Sequence, residues 1–261
     1  MSALHVVIQR EAEFVLVLAR VAAILAAIPV VGGLSVPNII KVWLAVAVAL
    51  ALVPVVAPAA TAVDPWSAGI GLLGETMIGL AIGLAIRLVF AAVDMGAELA
   101  GLQMGFGLAM VFDPSSGRQV SLISQLYGVV TMLVFFAING HHFVFHALAE
   151  SFHRVPAVGF YPGAGLIDGL MRLTSGMFAT ALQVALPVVA ALLLASAALG
   201  ILGRVVPQMN VLLMSFPVTM GVGLLVVGAS LSLFVGLFAD QVRALDGTLN
   251  GLVRAMARPG P

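Results

Sequence analysis

Asp94 and Glu98 stand four residues apart. On a helix that spacing places both carboxylates on one face, a turn apart. Paired carboxylates in apolar surroundings can act as general acid and base, or relay a proton. The same pair also fits the polar end of a long helix, or an ion pair between helices; Arg87 lies just upstream. A second cluster reads "NGHHFVFH", with His141, His142 and His146. His142 and His146, at i and i+4, could ligate a metal, but the glutamate of a His-Glu-x-x-His helix is missing. Interfacial histidines on an apolar helix explain the cluster more simply. "GFGLAM" has the closely spaced glycines of a phosphate loop without its Gly-Lys-Ser/Thr ending or its preceding strand. Ser115 and Ser116 lack the Gly-x-Ser-x-Gly turn that presents a nucleophile. The sequence offers no convergent catalytic groups beyond these weak pairs.

The elements that must position these residues are apolar. Of 261 residues, 62% are hydrophobic and only 8% charged, with no net charge. Soluble domains carry about 25% charged residues, so this chain could not cover a soluble surface and reads as an integral membrane protein. The charge balance gives no argument for nucleic acid. Absence of cysteine excludes a disulfide framework, Cys-ligated zinc and thiol catalysis. The first residues, "MSALHVVIQREAEF", lack the basic-then-apolar pattern and cleavage site of a signal peptide, so the first span is expected to be its own insertion signal.

Crossing the hydrocarbon layer takes about 20 apolar residues. Six runs qualify as candidates: 14–31, 42–58, 69–93, 122–139, 176–202 and 211–239. The longest polar stretch, 141–172, contains the punctuated loop "PAVGFYPGAG". With six spans, Arg10, Arg154, Arg172, Arg243, Arg254 and Arg258 share one side, against Lys41, Arg118 and Arg204 on the other. The positive-inside rule puts the first set, including the C-terminal tail, in the cytoplasm.

Several spans are poor lipid-facing helices. Arg20 lies in the first, Glu75 and Arg87 in the third, and Pro187 and Pro217 interrupt the last two. Small residues at four-residue spacing around Glu75 (Gly71, Gly79, Gly83) let another helix approach closely. These features fit packing against partner chains and a self-contained bundle alike. Most puzzling is "MGFGLAMVFDPSSG", residues 104–117, too oily for a solvent loop and too broken for a span.

Three ordered blocks carry a resemblance. "GLQMGFGLAMVFDPSSGRQVSLISQLYGVVTMLVFFAINGHHFVFHALAESF" holds Asp113-Pro114, Ser124-Gln125 and Asn139-Gly140-His141. "LGILGRVVPQMNVLLMSFPVTMGVGL" holds Arg204, Pro207, Gln208, Asn210, Phe216 and Pro217. "RVAAILAAIPVVGGLSVPNIIKVWLAVAVAL" holds Arg20, Pro29, Pro37 and Lys41. Together they resemble the FliR family, membrane subunits of the flagellar type III export gate, over nearly the whole chain. The injectisome homologue shares the plan with different local sequence, so the flagellar reading rests on the first two blocks.

The resemblance implies an all-α membrane protein of about six long apolar helices, several broken by Gly or Pro, that packs with partner subunits into a helical assembly. It implies no enzyme and no cofactor. Residues 1–174 would resemble the P partner and 175–261 the helical hairpin of the Q partner. FliP and FliQ would complete the channel, FlhB would wrap its cytoplasmic opening, and FlhA and the basal-body ring would lie nearby in the inner membrane. Unfolded rod, hook and filament proteins would pass through the centre.

Such a pore must admit a chain and hold back ions while idle, which apolar constrictions achieve by dewetting. The family's corresponding loop plugs the channel. The expectation is that Met104, Gly105, Phe106, Gly107, Leu108, Met110 and Phe112 close the pore, with Asp113 and Pro114 beginning the turn that anchors it. Arg20, Glu75, Arg87, Asp94 and Glu98 would pair between subunits or within helices, and Arg204, Pro207, Gln208 and Asn210 would be structural or intersubunit polar positions. The alternatives are an injectisome export-apparatus homologue and, less favoured, a secondary transporter with broken helices.

Overall fold

A computed structural model describes residues 11–29, 36–56, 65–106, 121–156, 159–161, 163–206, 208 and 210–257. These residues form helices and connections: α1 (Glu11–Ala27), α2 (Asn38–Leu52), α3 (Pro65–Gln103), α4 (Leu122–Ala137), α5 (Gly140–Arg154), α6 (Ala164–Val205) and α7 (Val211–Met256). An isolated antiparallel β-bridge joins Phe160 and Ala257. The all-α expectation holds, but the count of six long spans does not. Among the described residues three helices, α3, α6 and α7, are long and apolar enough to cross a membrane, or up to four spans if the bent pair α4–α5 counts as one.

Local stereochemistry explains the difference. An apolar run measures composition, whereas helix length is set by where the backbone stops turning. α1 and α2 contain 17 and 15 residues, short of the roughly 20 needed. The run 14–31 outlasts its helix, which ends at Ala27. Between α4 and α5 the chain bends by 66°. Asn139 makes that break at φ 56°, ψ 35°; this left-handed conformation is one that asparagine tolerates better than most side chains. The first half of the polar stretch 141–172 is then helix α5. It buries Val144, Ala147, Leu148, Ser151 and Phe152 on one face, with His142, His146 and His153 exposed and His141 half-buried. Arg154 pairs with Glu150 one turn back, at 2.7 Å. Pro187 and Pro217 lie inside α6 and α7 without ending them.

The helices sort into two compact units. The first holds α1, α2, α3 as far as Val89, the chain from Asn139 to Thr174, and α7 from Val242 onward. Its centre is the crossing of α1 and α3. A Cβ on Gly79 would lie 2.6 Å from the carbonyl oxygen of Arg20 and 2.6 Å from the Cβ of Ala23, so the two backbones meet where only glycine fits. Of the small residues on the third run, Gly79 and Gly83 are thus covered by α1 of the same chain. Also in this unit, the end of α7 is tied down: the Tyr161 N–H donates to the Met256 carbonyl at 3.0 Å.

The second unit holds 90–138 and 175–241. Its core is aromatic. Phe90 on α3 meets Phe135 on α4 and Phe238 on α7 edge to face, with centroids 5.3 and 5.7 Å apart. Tyr127 and Phe234 repeat that geometry at 4.7 Å. Edge-to-face contacts add about 0.5–1.5 kcal/mol each beyond the area they bury.

Candidate functional site

The segment singled out by sequence leaves α3 at Met104. In the second unit, α3 ends in two bonds: the Phe106 N–H reaches back to the Gly101 carbonyl at 3.1 Å, and the Gly105 N–H to the Leu102 carbonyl at 3.0 Å. This is a Schellman cap, which needs its penultimate residue in the left-handed region. Gly105 supplies it, at φ 94°. The glycine therefore terminates a helix of 39 residues and redirects the chain.

Met104, the residue before the turn, is fully buried. It lies on α7: a Cβ at Gly223 would come within 2.6 Å of Met104 Cγ and 2.9 Å of its sulfur. The Thr219 hydroxyl donates to the Met104 carbonyl at 3.3 Å and is shared with the Phe216 carbonyl at 3.2 Å. Phe216 also stands beside Gly105, its ring 3.6 Å from where a Cβ would sit. The root of the loop is thereby seated on about two turns of α7, from Phe216 to Gly223.

The chain re-enters the described residues at Ser121, the N-cap of α4, whose hydroxyl oxygen accepts from the Ser124 N–H at 3.2 Å. Two acceptors on α3 hold this helix start. Glu98 Oε2 accepts from the Ser121 N–H at 3.2 Å, and the Asp94 carbonyl accepts from the Ser124 hydroxyl at 3.2 Å. Gly101 leaves no room for a Cβ beside Ser121. Both ends of the 107–120 segment are thus fixed to α3, within the second unit.

In the first unit a different polar centre lies between α1, α3 and α5. Arg20 and Glu75 are fully buried, and Arg20 Nε donates to Glu75 Oε2 at 2.5 Å. Arg20 Nη1 donates to Ser151 Oγ at 3.1 Å, and Nη2 to the Val155 carbonyl at 2.9 Å. The guanidinium lies 4.0 Å from the centroid of the Phe152 ring. The guanidinium also satisfies the C-cap carbonyl of α5, where a positive charge is favoured. The pairing anticipated between subunits or within one helix is, for Arg20 and Glu75, a pairing of two helices in one chain.

The remaining expected residues are not brought together. Arg87 and Asp94 are exposed on α3 and, among the described residues, form no ion pair with each other. Glu98 is half-buried. Arg204, in the last turn of α6, is exposed, as are Gln208 and Asn210 in the connection to α7. The Asn210 carbonyl accepts from the Met214 N–H at 3.2 Å, within the first turn of α7. Gly107, Leu108, Met110, Phe112, Asp113, Pro114 and Pro207 lie outside the described residues. Among the described residues no three His, Asp or Glu side chains are grouped to hold a metal ion.

Sequence reasoning passed over Thr219, Gly223, Ser121 and Ser151. Ser121 was findable, because a serine directly before an apolar run is an N-cap signal. Thr219 and Gly223 share a helix face at i, i+4, but nothing in that spacing says what covers it.

A family model described as "Bacterial export proteins, family 1" matches residues 12–245. The chain is 33% identical over 215 residues to the flagellar biosynthetic protein FliR of Pectobacterium carotovorum subsp. carotovorum, covering 82% of each chain. It is 31% identical over 216 residues to that of Escherichia coli (strain K12), covering 83% of each. Against the Bacillus subtilis (strain 168) protein of the same name, identity is 30% over 213 residues, covering 80% of this chain and 82% of the relative.

Proposed function

Because this chain belongs to the FliR family of bacterial export proteins, we propose that it is a subunit of a flagellar protein-export channel and that residues 104–112 close that channel at rest. Its role in flagellar export follows from the family; the channel is our reading of the residues. FliP and FliQ complete the channel, with residues 1–174 in a P-like role and 175–261 as a Q-like hairpin. FlhB and FlhA lie at the cytoplasmic side of the inner membrane, where the Arg-bearing C-terminal tail also sits. Unfolded rod, hook and filament proteins are the cargo. The protein contributes a passage and carries out no covalent chemistry.

The observation that carries this reading is the mounting of the loop. An oily segment leaves α3 through a glycine cap, its root is seated on α7, and its return is pinned to α3 by Glu98 and Asp94. A segment that serves as a plug needs such a mounting: fixed ends, with glycines (Gly105, Gly107) between apolar side chains able to fill a constriction. The channel reading has a second support. In the most apolar stretch of α3, 56% is buried inside the chain, but only 22% in α6 and 28% in α7. Leu182, Leu186, Leu193 and Leu194 of α6 are all more than 60% exposed. These faces are free for neighbouring subunits and lipid. Exposed Arg87 and Asp94, within an apolar helix, also call for partners, because charges in spans face protein or water.

Deleting residues 105–110 is expected to raise ion leakage across the membrane in the absence of export, with the complex still assembled. Unchanged conductance would remove the plug from this reading.

A further inference from the structure

Glu98 has no place in a plug as such, and its contact with α4 gives it another. Its carboxylate accepts from the Ser121 N–H, which belongs to the residue at which the loop returns. The first N–H groups of a helix have no partner within it, and a carboxylate there is favoured by the helix dipole. Three contacts converge on this one helix start: Glu98 on the Ser121 N–H, the Asp94 carbonyl on the Ser124 hydroxyl, and the bare backbone of Gly101 on the Ser121 side chain. All three acceptors or surfaces lie on one stretch of α3, at 94, 98 and 101. Of these, only Glu98 contributes a side chain from α3, so only its bond is removable by a substitution on α3.

We infer that Glu98 is a positioning residue, whose carboxylate holds the N-terminus of α4 against α3 and so fixes where the pore loop returns. The Asp94 carbonyl, one turn before Glu98, adds a second acceptor that faces the same helix start, one from the backbone and one from a side chain. The positioning of α4 stands on the hydrogen bonds; its consequence for the closed pore rests on the plug reading above.

The test uses nitroxide labels on single cysteines in the full chain, which has none of its own, purified with its co-purifying partners in lipid nanodiscs. Leu122 and Leu133, 64% and 65% exposed, mark the start of α4 and a point three turns along it. In E98A the label at 122 is expected to gain mobility several-fold while that at 133 is unchanged. In E98Q, whose amide oxygen still accepts, both labels stay within about twofold of the unaltered chain. Ser121 offers an independent variant, should E98A fail to accumulate. Its φ of −64° suits proline, so S121P removes the N–H together with the hydroxyl, whereas S121A removes the hydroxyl cap alone. S121P is expected to free the label at 122 beyond what S121A does. Equal mobility in E98A and the unaltered chain, or in S121P and S121A, would overturn the inference.

The two readings separate in the leak assay. If removing 105–110 opens the closed channel and E98A frees α4 without leakage, Glu98 positions α4 but not the plug, and the consequence claimed here is lost. If removing 105–110 has no effect while E98A still frees the label at 122, the plug reading fails and the positioning role stands.

Discussion

The Thr219 hydroxyl on α7 donates to the carbonyl of Met104 on α3, across 115 positions of sequence. Met104 is the last residue before the glycine turn, so this bond and the seat at Gly223 hold the loop's first residue rather than the loop itself. Four consequences of the structure can be measured.

The seat for Met104 is cut to fit. G223A places a methyl 2.6 Å from Met104 Cγ, and overpacking of this kind costs about 1–3 kcal/mol. Lower thermal stability of the purified complex and higher resting leakage are expected. Shortening the partner should relieve the clash, so M104A/G223A should lose less than the two single losses added together. Simple additivity would mean that the two side chains do not meet.

Gly105 is held at φ 94°. Placing a non-glycine L-residue in the left-handed region costs roughly 1–2 kcal/mol, so G105A should destabilise the end of α3 and G105N somewhat less. Hydrogen exchange at the amides of residues 104–106 checks this, with faster exchange expected in the order wild type, G105N, G105A. A Gly105 chosen only for flexibility would tolerate alanine with no change there.

Arg20 and Glu75 form a fully buried pair. Removing one partner strands a charge, at a cost of about 3–5 kcal/mol, while replacing both with apolar residues of similar volume is often neutral or better. R20M and E75L should each reduce the level of folded protein in the membrane, and R20M/E75L should recover most of it. A double variant as poor as the singles would show that the bonds of Arg20 to Ser151 and Val155 matter more than its pair.

At the α1–α3 crossing, G79V would drive a branched side chain into the Arg20 carbonyl, which as backbone cannot rotate away. It should separate α1 from α3 and stretch the ion pair along with them. The expected outcome is poor accumulation, not rescued by R20M/E75L, because the obstruction is backbone. Crosslinking of cysteines placed on the two helices measures the separation directly.

Much of this was legible in the residues. A charge fraction of 8% and six apolar runs decided membrane and helix by themselves. The ordered blocks from Arg20 to Pro217 identified the family. The oily, glycine-broken segment at 104 was visible as a departure from both loop and span. What misled was counting apolar runs as spans: the left-handed turn at Asn139 and the early stop of α1 at Ala27 depend on backbone torsion, which apolar composition does not encode.

Periodicity and composition are local, and so they determined the class of the protein, its helices and the segment that deserved a function. Partnership is not local. Arg20 meets Glu75 across 55 positions, Met104 meets Thr219 across 115, and Ser121 meets Glu98 across 23. Each side chain could have bonded several others. Which one it took was decided by where helices cross, and that depends on the close fit of glycine against the Arg20 backbone at Gly79, the Ser121 side chain at Gly101 and the Met104 side chain at Gly223. Short-range van der Waals contact selects those crossings, and only the folded chain shows them.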